Sequence, residues 1–262
     1  MNKLTLVLTS FNRLNYLQEM IISLKDQSDN NYDLVICDNH SEDGSWDFID
    51  NLSKFNKGKY TKLHWNENLG WAGSAARWNK YIQSKWVSIL SDDDWLGLDF
   101  VKTINSSIAK FKVDFSGIIV IGHNRVDIAN GFEKEYKYEE EIVDIQNSAE
   151  QFYHHKFDVA GISSFVINSS LLNNDFPKYY EGNGFLEDTL LIYRAILNGG
   201  ACFTNGIHYF RREHSQSISS SKKNSLFYNI SLIRFKKDLI PYVSNSVCTS
   251  EVKRKLLKYS YF

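Results

Sequence analysis

"WVSILSDDDWL", Trp86 to Leu96, sets a short apolar run against three consecutive carboxylates, Asp92, Asp93 and Asp94, and then returns to bulky apolar residues. The run "WVSIL" has the composition of a buried strand. Neighbouring carboxylates repel one another and resist the loss of water. A chain therefore leaves such a triplet either at a solvated turn or where a cation compensates it. What else reaches that strand end decides between the two.

Upstream, strand-like and helix-like segments alternate. "KLTLVLT" (Lys3 to Thr9) reads as a strand, and Leu14, Leu17, Ile21 and Leu24 then recur at helical spacing through "LNYLQEMIISLKDQ". "YDLVICD" and "YTKLHW" read as two further strands, and "AGSAARWNKYIQSK" as the helix before "WVSIL". This β-α-β-α-β succession predicts an α/β fold: a mostly parallel, Rossmann-like sheet with helices on both faces. Downstream, "LDFVKTINSSIAKF" and "FLEDTLLIYRAILNG" read as helices, and "SGIIVIGH", "VAGISSFVIN" and "ACFTNGIHYFRRE" as strands. "EKEYKYEEEIVD" is expected to be a solvated connection.

In an open parallel sheet, ligands bind beyond the carboxyl ends of the strands. The segments that follow the four strands are "TSFNR", "DNHSEDGS", "NENLG" and "SDDD", so all four polar clusters are expected on one edge. Thr9, Ser10, Asn12 and Arg13 come from the first cluster, Asp38 from the second and Asn68 from the third, with Arg77 on the helix beyond it. Hydroxyls, amides and a carboxylate acceptor suit a base and ribose, and Arg77 suits a phosphate or a base carbonyl. Asp92 to Asp94 suit a hard divalent cation bridging a diphosphate. The ligand that fits is a nucleoside diphosphate.

Composition narrows the class. The 262 residues are 43% hydrophobic and 15% aromatic, ample for a core, and 30 Lys plus Arg nearly balance 31 Asp plus Glu, which argues against a nucleic-acid binder. Cys37, Cys202 and Cys248 form no CxxC pair and suit a reducing compartment. With no secretory signal and no spanning run, a cytoplasmic protein is expected. From Lys222 onward bases dominate. That tail reads either as an ordinary solvated helix pair or as a basic, aromatic segment lying on a membrane surface.

The motifs "TSFNR", "CDNHSEDGS", "NENLGWAGSAARWNKYI" and "ILSDDDWL", followed by "GFLEDTLLIYRAILNGG" and "HYFRREHSQSIS", resemble in this order the family-2 glycosyltransferases with a GT-A fold. The resemblance covers Lys3 to Ser220. It implies an inverting transfer of a sugar from a nucleotide-sugar donor, a UDP-sugar, to a hydroxyl of a saccharide or lipid-linked saccharide in bacterial surface polysaccharide or lipopolysaccharide synthesis. It implies roles as well: Thr9, Asp38 and Arg77 at the uracil, Asp92 at the ribose or metal, and Asp93 and Asp94 at Mn2+ or Mg2+ and the diphosphate. Asp188, with Glu187 beside it, would be the general base, and His214 would lie near the metal. Residues 1–221 would form the GT-A domain, with a nucleotide-binding half over about 1–115 and an acceptor half over about 116–221. Residues 222–262 would be a basic helical extension. Ser91 stands where the family's aspartate cluster often begins, so the resemblance leaves the division of labour within the triplet open.

Other readings carry less. "NHSEDGSWDFID" places Asn39, Ser41, Asp43, Gly44 and Asp50 at EF-hand loop positions, but a strand precedes it, so a loop turning on Gly44 into a helix is expected. "NLGWAGSA" lacks G-x-G-x-x-G. Glu187 and Asp188 also suit a helix N-terminus on electrostatic grounds alone. A nucleotidyltransferase, or a non-catalytic saccharide-binding protein, would share the sheet.

Overall fold

The computed structural model describes residues 4–68, 70–110, 115–153, 161–172, 187–214 and 237–258. Strands β1 (Leu4–Ser10), β2 (Asp33–Asp38), β3 (Tyr60–His64) and β4 (Trp86–Ser91) lie parallel in the order β3-β2-β1-β4. Period-2 alternation sorts their side chains into two cores. Val7, Val35, Cys37, Val87 and Ile89 face one side with Ala75 and Trp78 of α3 (Gly70–Trp78). Leu4, Leu6, Leu8, Leu34, Ile36 and Leu90 face the other side. There they meet Leu17, Met20, Ile21 and Leu24 of α1 (Leu14–Lys25) and Phe100, Val101 and Ile104 of α4 (Phe100–Lys110). Burial on both faces is why these strands read as nearly continuous apolar runs.

Beyond β4 the sheet turns mixed. β10 (Phe165–Asn168) runs antiparallel to β4, and β6 (Ile118–Val120), β11 (Ala201–Phe203) and β9 (Glu141–Val143) complete eight strands. Close backbone approach makes the β6–β11 start possible. A Cβ on Gly117 would lie 2.2 Å from the Gly200 carbonyl, and one on Gly199 would lie 2.2 Å from the Gly117 nitrogen. Only glycine fits both places. The helix α6 (Glu187–Gly199) covers this half together with α5 (Ile145–Tyr153).

A second sheet, in the order β5-β12-β7-β8, comprises β5 (Trp95–Leu96), β12 (Tyr209–Glu213), β7 (His123–Asp127) and β8 (Phe132–Tyr136). Two sequence expectations change here. "EKEYKYEEEIVD" supplies most of β8 and all of β9. Cross-strand partners absorb its charges and rings: Asn124 donates to Glu133 at 3.1 Å, and Tyr136 stacks on buried His123 with centroids 4.6 Å apart. "ACFTNGIHYFRRE" is two strands in two different sheets, because β11 pairs with β6 whereas β12 pairs with β5 and β7.

The C-terminal helices α7 (237–245) and α8 (Ser250–Lys258) pack onto the domain, with Leu239, Val243, Cys248, Val252 and Leu256 buried in the core that holds α5 and α6. Lys255 bridges Glu150 of α5 at 3.4 Å. The apolar stripe of α8 is thus used inside the protein. The expected boundary at 221/222 and the stretch "SLFYNISLIRF" lie outside the described residues. No described helix is long and apolar enough to cross a membrane.

Candidate active site

The loops after β1 and β2 brace each other. Asn12, in the left-handed region at φ 51°, donates its backbone N–H to Ser41 Oγ at 2.9 Å, and its side-chain oxygen accepts the Glu42 N–H at 2.8 Å. Asp43 accepts the Leu14 N–H at 2.8 Å and the Ser45 N–H at 3.0 Å, so one carboxylate caps both α1 and α2 (Ser45–Asn51). Gly44, at φ 89°, makes the turn into α2 that the sequence predicts. A cavity of about 450 Å³ opens at the start of α1, lined by Asn12, Arg13, Leu14, Asn15, Tyr16 and Asp43.

Asp38, the last residue of β2, is completely buried and sits in register with Ser10. Its Oδ2 accepts the Ser41 N–H at 3.0 Å and bonds His64 Nδ1 at 2.9 Å, while its Oδ1 has no partner among the described residues. Thr9 lies one residue back on β1, its hydroxyl 3.5 Å from the Leu90 carbonyl. On the loop after β3, Asn68 accepts from Asn39 Nδ2 at 2.8 Å and from the Gly70 N–H at 2.9 Å, which shapes the loop. Arg77 stacks over Trp65 at 5.5 Å and reaches Glu67 at 3.4 Å. Asn12 and Asn68 therefore spend their amide oxygens on loop architecture, whereas Asp38 keeps a free acceptor.

The three aspartates after β4 separate by environment. Asp92 is buried and accepts the Phe11 N–H at 3.2 Å and Arg13 Nη1 at 3.0 Å; burial pushes its carboxyl up to about 6 despite the Arg13 charge. Asp94 is buried with both oxygens engaged, Oδ2 by the Tyr209 hydroxyl and Oδ1 by the Arg212 N–H at 2.8 Å. Burial, with Asp93 next to it, pushes this carboxyl up to about 7. Asp93 is the most open of the three. Its Oδ2 lies 2.8 Å from Arg13 Nη1 and 3.3 Å from His214 Nε2. Asp94, expected beside Asp93 at a metal, has each of its oxygens engaged by a protein donor.

His214 arrives from 121 positions away in sequence. Strand β5 directly follows the triplet, and β12 pairs with it antiparallel, Phe210 opposite Trp95, with the two rings stacked 5.4 Å apart. Two residues further, Arg212 lies between the rings of Tyr16 (4.4 Å) and Trp95 (5.0 Å) and pairs with Glu19 of α1. Tyr16 in turn meets the His214 ring at 5.1 Å. Tyr209, Tyr16 and Glu19 are outside the sequence candidates, and no motif in the sequence marks them for a role. The Arg211 charge lowers the carboxyls of both Asp94 and Asp188, so it serves both acidic groups.

Asp188 stands in the first turn of α6, which Glu187 begins. One of its oxygens accepts the Thr189 N–H at 2.7 Å. Loss of water raises its carboxyl above the ordinary value, against the Thr189 hydrogen bonds and Arg211. A carboxylate moved in that direction is a better proton acceptor near neutral pH. Among the described residues no three His, Cys, Asp or Glu side chains are grouped to hold a metal. Asp93 and His214 form a pair, and a hard cation that takes its remaining ligands from phosphate oxygens and water needs few protein groups. The residues therefore fit a cation that is completed by its substrate.

A parallel half-sheet with polar loops at its carboxyl edge, joined to a mixed half that carries an acid at a helix start, is the plan of the GT-A glycosyltransferases. Residues 5–169 match the profile of glycosyl transferase family 2, and the chain belongs to that family. The crystal structure of S. aureus TarS 1-349 in complex with UDP-GlcNAc superposes with a TM-score of 0.76 at 18% identity, over 97% of this chain and 70% of that one. The mannosyltransferase PcManGT from Pyrobaculum calidifontis, in complex with GDP-Man and Mn2+, gives a TM-score of 0.56 at 12% identity, over 98% of this chain and 69% of that one. Glycosyltransferase GlyA of Streptococcus pneumoniae is 23% identical over 115 residues, which are 44% of this chain and 16% of that protein. The chain thus matches only a small part of that relative.

Proposed function

We propose that the chain is an inverting, metal-dependent glycosyltransferase that moves a hexosyl or N-acetylhexosaminyl group from a UDP-sugar to a hydroxyl of a saccharide or lipid-linked saccharide, in bacterial surface polysaccharide or lipopolysaccharide synthesis. One observation carries the reading: the carboxyl edge of one sheet holds the buried, unpartnered acceptor Asp38 Oδ1 together with the Asp93–His214 pair and Arg13. Asp38 suits the imide N–H of a uracil, with Thr9, Ser10 and Arg77 around the base and Asp92 toward the ribose. Arg13 suits the diphosphate. Asp93 and His214 would hold Mn2+ or Mg2+, which supplies a counter-charge for the departing diphosphate.

Asp188 takes the proton from the acceptor hydroxyl as the hydroxyl attacks the sugar's anomeric carbon from the face opposite the leaving group, which inverts the centre. Glu187 precedes it at the helix start, and the positive charge of Arg211 acts on both Asp188 and Asp94. The UDP-GlcNAc and UDP complexes of TarS support a uridine donor, and the Mn2+ complex of PcManGT supports the cation. Exposed Arg254, on the outer face of α8, suits contact with an anionic membrane surface at the cytoplasmic side.

Thermal stabilisation by a panel of nucleotide sugars, with Mn2+ present, tests the reading. A UDP-sugar is expected to raise the melting temperature by mass action, and chelation is expected to abolish the rise. No shift with any uridine or guanosine diphosphate sugar would overturn it.

A further inference from the structure

Asp38 and His64 end neighbouring parallel strands and stand directly opposite in register. His64 Nδ1 lies 2.9 Å from Asp38 Oδ2, and because an ionised carboxylate can only accept, Nδ1 carries the proton of that bond. Oδ2 also accepts the Ser41 N–H at 3.0 Å, which leaves Oδ1 as the carboxylate's one unused acceptor, buried and without a partner among the described residues. A single backbone N–H would hold this group weakly, since the terminal torsion of an aspartate is broad. Two donors on one oxygen fix its plane. The imidazole is fixed in its turn: it stacks on Trp46 of α2 with centroids 4.6 Å apart and planes 25° apart.

We propose that His64, seated on Trp46, is a positioning residue for nucleobase selection. It turns Asp38 so that Oδ1 demands an N–H, which admits uracil and rejects cytosine, whose corresponding ring nitrogen is a bare acceptor. Two acceptors brought together in a buried place leave both unpaired, so the selection works against the wrong base more than for the right one. This rests on the reading of the strand edge as a nucleotide site. It adds a residue that none of the motif segments contains and gives that site a reason to prefer one pyrimidine.

The test compares UDP and CDP binding by calorimetry, with Mn2+ present, in the wild type and three variants. His64→Asn places an amide N–H where Nδ1 stands. His64→Gln reaches the Nε2 position instead, and His64→Phe keeps a ring on Trp46 without any donor. The wild type is expected to prefer UDP by about tenfold or more, as the loss of a hydrogen bond to a charged group predicts. Gln and Phe are expected to lose UDP affinity by about tenfold while CDP changes little, so that the preference collapses, and Asn is expected to retain it. The donor KM should follow affinity, with kcat at saturation unchanged. A UDP/CDP ratio in His64→Gln and His64→Phe equal to that of the wild type overturns the proposal, as does an equal collapse in His64→Asn. A wild type that binds neither nucleotide refutes the uridine-donor reading itself, and that failure is visible before any variant is compared.

Discussion

Asp38 at the end of β2 and Asp94 in the acidic triplet after β4 are both buried aspartates at the carboxyl edge of the same sheet, and they are bonded in opposite ways. Asp38 has one oxygen held twice and one left bare, whereas Asp94 has both oxygens engaged, by Tyr209 and by the Arg212 N–H. A bare oxygen at such depth costs free energy until a ligand donates to it, while a fully engaged one contributes to the frame. Residue type and burial do not separate the two roles. The count of unused lone pairs does.

The largest expected effect lies at Asp188, in the first turn of α6. Asp188→Asn keeps the shape and the hydrogen bond from Thr189 but removes the proton acceptor. Turnover is expected to fall by about 10²–10⁴-fold, with UDP affinity within a few-fold of the wild type. Single-turnover kinetics beside nucleotide titration separate the two quantities. Unchanged transfer would remove Asp188 from the chemistry and leave it a helix-terminal charge like any other.

The second effect divides the triplet itself. Asp94→Ala strips the Tyr209 hydroxyl and the Arg212 N–H of their acceptor in a buried place, and a loss of about 2–4 kcal/mol in stability is expected. Asp93→Ala removes the more open charge and relieves repulsion on Asp94, so its melting temperature without metal should stay within a degree or two of the wild type. Its Mn2+-dependent gain in UDP affinity should disappear. Denaturation and nucleotide titration on the same two proteins would reveal a reversed pattern, with Asp94→Ala stable and blind to metal, and that pattern would exchange the two roles.

This division was only half legible in the sequence. Each polar loop of the parallel half follows its own strand, so local order placed Thr9, Asp38 and Asp92 on one edge without knowledge of any long-range contact. In the mixed half, position depends on pairing. His214, one of the two partners of Asp93, is 121 residues away, and the second sheet that delivers it includes β5, two residues long, and β8, from a stretch that reads as a solvated loop. Charged residues on a half-exposed strand satisfy each other across the ladder, a pattern that composition does not distinguish from a connection. The triplet showed the same limit in small. Three identical side chains carry no sequence mark of which faces Tyr209, and Ser91 removed the usual reference point.

The smallest expected effect is a pH dependence that reads the engaged carboxylates directly. Burial raises Asp92 to about 6 and Asp94 to about 7, above the ordinary 3.8 that the unfolded chain keeps. Between those values the folded protein holds protons that the unfolded chain has released, so stability falls as pH rises from about 4 to about 7 and levels off above. Without metal, the protein should lose roughly 1–2 kcal/mol between pH 6 and pH 8, a few degrees in melting temperature. Asp94→Asn, which keeps an acceptor for Tyr209 but cannot titrate, should show a clearly smaller slope over that range. Mn2+ should flatten the trend, since a cation beside the triplet favours the ionised forms of Asp92 and Asp94 and lowers their raised carboxyls. A metal-free melting temperature that climbs from pH 6 to pH 8 as steeply in the wild type as in Asp94→Asn would mean that the triplet is ionised without a cation. The contrast between a waiting carboxylate and a braced one would then have to be drawn elsewhere than at Asp94.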